Sequence, residues 1–182
     1  MLQNEIGTFV MFTWRGLTIL ELLFTISITL ILLGIGAPAF HSVQRNIQLK
    51  SVVENLYYSL QKSRAVAISR QVPVTTSFTK GKAWCVGTSD LGICDCNIVD
   101  SCTVNGVEQR LYAGDYSFIT LTDIRFGKDN IAVFDGVRGL AVGHAGSVIF
   151  SDGVRQLKLI LSNMGRVRIC AIDKDIGGYK AC

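Results

Sequence analysis

The chain has 182 residues, 49% of them hydrophobic, with six cysteines and a formal net charge of +4. That length excludes a multidomain assembly and leaves room for one membrane-embedded helix and one compact domain of about 100–150 residues. The modest charge permits an anionic partner without demanding one, and the lack of low-complexity segments and internal repeats excludes disordered and solenoid architectures.

Residues 1–16 form a short polar leader ending in Trp14-Arg15-Gly16. It holds Glu5 and Arg15, so it lacks the positive excess that would keep it on the cytoplasmic side of a membrane. Met11 offers a shorter start, MFTWRG, with one arginine and no acid, as an alternative to Met1. Residues 17–37 then read LTILELLFTISITLILLGIGA, apolar or small and polar apart from one carboxylate, Glu21. About twenty such residues span a bilayer. A bare carboxylate at that depth costs several kcal/mol and so implies a partner. Cleavage after Gly16 would supply one, the free amine of Leu17, with Glu21 then the fifth residue of the mature chain; amine and carboxylate can neutralise each other where neither is solvated. A secretory signal has the reverse order, an apolar stretch of about 7–15 residues followed by its cleavage site. An ordinary anchor explains the length but gives Glu21 no role.

Gly16, Leu17, Thr18, Ile19, Leu20 and Glu21 resemble the signature of type IV prepilins and type II secretion pseudopilins, with Leu17 where that family usually has Phe or Met. Pro38 falls where the family commonly has a helix-kinking proline. The resemblance implies cleavage by prepilin peptidase between Gly16 and Leu17, N-methylation of Leu17, and assembly roles for Glu21 and Pro38. Glu21 would pair with an N-terminal amine and select register on insertion, while Gly34 and Gly36 would let neighbouring helices approach closely.

Helical spacing continues beyond Pro38. Leu49, Val53, Leu56 and Leu60 recur at steps of three or four, prolonged by Ala67 and Ile68, while Arg45, Lys50, Lys62, Arg64 and Arg70 lie largely off that stripe. One helix, kinked near Pro38, is expected from about residue 17 to 70. It is apolar on all sides over 17–37 and amphipathic over 38–71, and Gln71-Val72-Pro73 ends it.

Over 72–182 the pattern changes to short β-prone runs broken by glycine. Strands are expected at 74–79, 83–87, 109–113, 118–124, 131–134, 147–151, 156–162 and 167–172, with Leu157, Leu159 and Leu161 alternating against Gln156, Lys158 and Ile160. The fold class is α+β: a long N-terminal helix packed on a C-terminal antiparallel β domain, the pilin-like architecture the resemblance also implies.

All six cysteines (Cys85, Cys94, Cys96, Cys102, Cys170 and Cys182) lie in this part, and an even count in an exported domain reads as disulfides. A C-x-C pair without a nearby His is poor zinc spacing, His41 and His144 being far off, so no metal is expected. Cys170 and Cys182 are expected to close the tail back onto the last strand. Three pairings stand open for the other four, with Cys94 and Cys96 bonding outward rather than to each other.

No catalytic set or cofactor site emerges: the chain has no GxxxxGK[ST], HExxH or GxSxG, and GVRGLAVGHAG lacks the lysine and helix of a phosphate cradle. A basic patch does emerge. Arg155, Lys158, Arg166 and Arg168 lie in an acid-free stretch, 153–172. Arg166 and Arg168 share one face of an extended strand, where paired guanidinium groups can grip phosphates. Alternating arginine and apolar residues also mark any half-exposed final strand, or a basic contact to another subunit.

The β domain, the glycine-rich run 136–146 and the ending LILSNMGRVRIC resemble the GspH/FimT/FimU group of minor pilins and pseudopilins, and GRVR resembles the motif by which FimT-type pilins contact DNA. The resemblance implies a structural subunit of a type IV pilus, acting in priming or at the tip. It would start as a single-pass protein of the bacterial inner membrane, its C-terminal domain in the periplasm, and end in the extracellular pilus. Its partners would be other major and minor pilins, prepilin peptidase and the inner-membrane assembly platform. Two other functions stay open: a receptor pilin binding double-stranded DNA for natural transformation through Arg166 and Arg168, and a GspH-type pseudopilin of a type II secretion system.

Overall fold

The computed structural model describes residues 18–172 and 176–182, apart from the side chains of residues 35–39 and 128. Gly16 and Leu17, the expected cleavage and methylation positions, lie outside the described residues, as does the side chain of Pro38. Two compact units make up the chain, one ending at His41 and one running from Ser42 to Cys182, and helix α1 (Ile19–Arg70) contributes to both.

In the first unit the Glu21 N–H donates to Thr18 Oγ1 at 3.3 Å, the reach of an N-cap. Thr25, Ser27 and Thr29 return their hydroxyls to carbonyls about one turn earlier, so these polar residues satisfy themselves within the helix. The apolar side chains point outward: Ile19, Leu20, Phe24, Leu30 and Leu33 are 63% to 81% exposed. Among the described residues no helix is long and apolar enough to cross a membrane. The run expected to do so begins at Leu17, outside those residues, and its last side chains are outside them too.

In the second unit α1 buries Leu49, Val52, Val53, Leu56, Leu60 and Ala67 completely, a stripe at helical spacing. Ile68, expected on that stripe, is 43% exposed. Ser63 takes a buried position instead, at low cost because its hydroxyl donates to the Ser59 carbonyl at 2.7 Å. The helix stops where Gln71 adopts a left-handed conformation two residues before Pro73.

Ten strands follow. β1 (Val74–Thr79), β2 (Cys85–Ser89), β5 (Arg110–Tyr112) and β7 (Ile131–Phe134) form one antiparallel sheet in the order β5-β2-β1-β7. β6 (Thr120–Phe126), β8 (Gly146–Ser151), β9 (Gln156–Leu161) and β10 (Val167–Ala171) form a second, in the order β10-β9-β8-β6. A small hairpin, β3 (Thr103–Val104) with β4 (Val107–Glu108), completes the set. The strands expected at 74–79 and 131–134 coincide with β1 and β7, whereas β2 and β6 start two residues later than expected. Trp84 accounts for the first delay: it turns inward before β2, buried, its indole N–H donating to the Ile119 carbonyl at 2.8 Å. The α1 stripe, Val74, Val86 and Phe134 of the first sheet, and Val148, Phe150, Leu157, Leu159 and Leu161 of the second share one continuous core.

Candidate interaction surface

Strand register decides where the basic residues go. Arg168 lies opposite Ile160, Ile160 opposite Ser147, and Ser147 opposite Arg125. Cys170 lies opposite Lys158, and Lys158 opposite Ile149. Because Leu157, Leu159 and Leu161 fill the core, Arg168 and Lys158 share the outward face of the second sheet, as diagonal neighbours with Cα atoms about 7–8 Å apart. Arg166 sits one residue before β10. Its N–H donates to Ser162 Oγ at 3.2 Å and its carbonyl accepts the Ser162 N–H at 3.0 Å, which leaves its side chain exposed. Among the described residues Lys158, Arg166 and Arg168 have no ion-pair partner.

The turn before Arg166 is held from below. A Cβ on Gly165 would stand 2.2 Å from the Gly139 carbonyl oxygen and 3.1 Å from Arg64 Nε, so only glycine lets the turn lie on both. This contact brings the Arg138 segment against the Arg166 turn, a juxtaposition the sequence pattern did not predict. Asp135 shapes that segment by accepting the N–H groups of Val137, Arg138 and Leu140 at 2.9, 2.7 and 2.6 Å. The Arg138 backbone bond, aided by the other two and the Arg138 charge, outweighs partial desolvation and holds the Asp135 carboxyl below its ordinary value.

Arg155 is placed differently from the other three. Its Nε donates to Asp152 Oδ2 at 3.0 Å and a terminal nitrogen donates to the Ser42 carbonyl at 3.0 Å. Arg155 therefore clasps the β8–β9 turn to α1 and lies at the far end of β9 from Arg166, about 22–24 Å away at strand rise.

On the first sheet the outer face is covered by the cysteine-rich loop. Cys85 bonds Cys96 and Cys94 bonds Cys102, so Cys94 and Cys96 do bond outward, while Cys170 bonds Cys182 as expected. No cysteine is free, and among the described residues no cluster of metal-ligating side chains is present. The stapled loop exposes Leu91, Ile93, Ile98 and Val99 at 61% to 87%. Asp90 of this loop pairs with Arg70, and Glu108 with Arg110 at 3.3 Å. Asp95 and Asp100 have no ion-pair partner among the described residues.

The family model for the type II transport protein GspH matches residues 52–165. The chain belongs to the GspH family. The match runs from the buried half of α1 to the Gly165 turn, so Arg166 and Arg168 lie just beyond it and the N-terminal motif lies well before it. Two crystal forms of the type IV minor pilin FimU from Pseudomonas aeruginosa are similar to this GspH-family chain. They are 18% and 17% identical, each covers 69% of this chain and 93% or 98% of FimU, and each has a TM-score of 0.46. No curated protein matches.

Proposed function

We propose that this GspH-family protein is a filament subunit, a minor pilin of a type IV pilus. One observation carries the reading: the two parts of α1 have opposite surroundings. The stretch beginning at Ile19 turns every described large apolar side chain outward around one carboxylate, Glu21, whereas Leu49 to Ala67 is the spine of the β domain's core. An apolar helix surface turned outward on all sides fits a membrane first and then a bundle of like helices. In that bundle Glu21 meets an N-terminal amine, and the β domain faces outward. The doubly stapled loop suits a subunit that works beyond the cytoplasm, where disulfides persist.

The test uses the full chain co-produced with prepilin peptidase in a piliated host. The expected result is loss of residues 1–16, a methylated Leu17 amine, and recovery of the chain with sheared pili. Glu21→Val should be cut but missing from the filaments. An uncut chain, or a cut one absent from filaments, overturns the reading; recovery with a secretion pseudopilus instead makes it a pseudopilin.

A second reading rests on the unpaired, outward Lys158, Arg166 and Arg168: backbone contact with double-stranded DNA. Such binding is sequence-blind and falls steeply with salt. It should vanish in Arg166→Ala/Arg168→Ala, and no binding at low salt removes the reading.

A further inference from the structure

The β domain carries two complementary patches on different outer faces. From residue 83 to 109 the chain has four acids and no base, and from 153 to 172 four bases and no acid. The first stretch is the stapled loop on the outer face of the first sheet. A Cβ on Gly87, within β2, would stand 2.2 Å from Cys102 Sγ, which shows how closely the loop is laid down there. Its unpaired acids, Asp95 and Asp100, flank Ile98 and Val99, 61% and 67% exposed. The second stretch offers Arg166 and Arg168, and in the β9–β10 turn just before them Met164, 68% exposed. Each patch is tied to the last turns of α1 at its base: Asp90, where the loop leaves β2, pairs with Arg70, and Gly165 before Arg166 packs on Arg64. An acidic patch with an apolar centre and a basic patch with an apolar centre, on two outer faces of one molecule, are complementary between copies.

We propose that the 91–100 loop of one copy of this chain docks on the 164–168 edge of a second copy, with Asp95 and Asp100 facing Arg166 and Arg168 and with Ile98 and Val99 against Met164. The contact is heterologous, so each copy keeps one free loop and one free basic edge, the arrangement that extends a row of subunits. Charge complementarity of this kind fixes partner and register more than it adds affinity. Two disulfides hold the loop in shape beforehand, which lowers the ordering cost of docking. The proposal goes beyond the filament-subunit reading, which names no surface on the β domain.

Full chain in detergent, half of it isotopically heavy, tests it with a photo-crosslinking amino acid in place of Val99. Heavy-to-light crosslinks from position 99 to residues 164–168 are expected, weakening as salt rises. Asp95→Asn/Asp100→Asn is the loop variant; asparagine keeps the turn at Asp95 and tolerates the left-handed backbone of residue 100. Arg166→Glu/Arg168→Glu is the edge variant. Each alone should lose the crosslink about tenfold. Mixing them, with the crosslinker on the heavy edge variant, should restore it in one direction only, heavy loop to light edge, and that rescue shows both variants to be folded. Absence of heavy-to-light crosslinks, or a yield indifferent to either variant, overturns the proposal. So does a yield that depends on the arginines but not on the aspartates, which would give the edge to a polyanion. Cleavage after Gly16 is read separately on the same protein, so failure of this contact is distinguishable from failure of the filament reading.

Discussion

Gly87 and Cys102 lie so close that the position of a Cβ on Gly87 is already taken by the Cys102 sulfur, 2.2 Å away, with Cys96 Cβ at 2.9 Å. β2 has the core on one side and the stapled loop on the other, and all five of its residues are buried. The glycine is there for close approach, since it has no unusual backbone conformation.

Gly87→Ala should therefore act as overpacking against a covalent neighbour. A loss of about 1–3 kcal/mol is expected, read as a lower midpoint in denaturant. The neighbour is fixed by its disulfide to Cys94. Reduction frees the loop to lift, so the penalty should shrink in the reduced protein. An equal penalty in both forms would place the strain elsewhere.

Asp135 gives a prediction in acid. Its three backbone donors favour the carboxylate, and its folded value lies below the ordinary 3.8. A depressed carboxyl contributes stability that is whole above the unfolded value and is lost as pH falls through the folded one. Hydrogen exchange at Arg138 and Leu140 should thus be flat from pH 7 down to about 4 after correction for intrinsic rate, and rise below. Asp135→Asn should be less protected at neutral pH and lack the acid step.

What could be read beforehand follows the range of the interactions. The α1 stripe and the alternation of β9 are local periodicities set by one core, and both were legible before any coordinates. Ile68 departs from the stripe because the Gly139 segment meets only its side: a Cβ on Gly139 would touch Ile68 Cδ1 at 2.8 Å. β3 and β4, two residues each, carry too little pattern to be seen. Spacing could say that Cys94 and Cys96 bond outward, but the choice of Cys96 for Cys85 depends on how the loop folds over Gly87. Arg155 is the clearest case on the surface. Its run of bases reads as one patch, yet its partner Ser42 is 113 residues away, a relation no periodicity carries.

Tyr179 gives the opposite pH dependence. Its phenol donates to Glu54 on α1, in a tail closed by the Cys170–Cys182 bond and by the Ala171 N–H on the Lys180 carbonyl at 2.9 Å. Burial first, then the Glu54 bond and charge, push the phenol well above its ordinary 10.0. Loss of the proton is easier in the unfolded chain, so the contribution is whole below pH 10 and is lost as pH rises above it. Tyr179→Phe should cost about 1 kcal/mol at pH 8 and flatten the decline in stability above pH 10. A decline unchanged in the variant would assign it to other groups.

Arg155 and Arg168 should separate under substitution although both stand in the same basic stretch. The Asp152 carboxylate is fully buried and accepts the Val154 and Arg155 N–H groups at 2.9 and 2.6 Å as well as Arg155 Nε. Removal of the guanidinium leaves that charge with its backbone donors alone and removes the Arg155 bond to the Ser42 carbonyl. Arg155→Ala should therefore cost about 1–3 kcal/mol, visible as a lower thermal midpoint. Arg168 has no partner among the described residues, and Arg168→Ala should change stability by no more than about 0.5 kcal/mol. For any ligand of the basic edge the order reverses: Arg168→Ala weakens binding in a protein of wild-type stability. Arg155→Ala, assayed well below its midpoint, leaves binding nearly intact. Equal binding losses at both positions would mean that the two residues face one ligand, contrary to the roughly 16–17 Å of strand set between them.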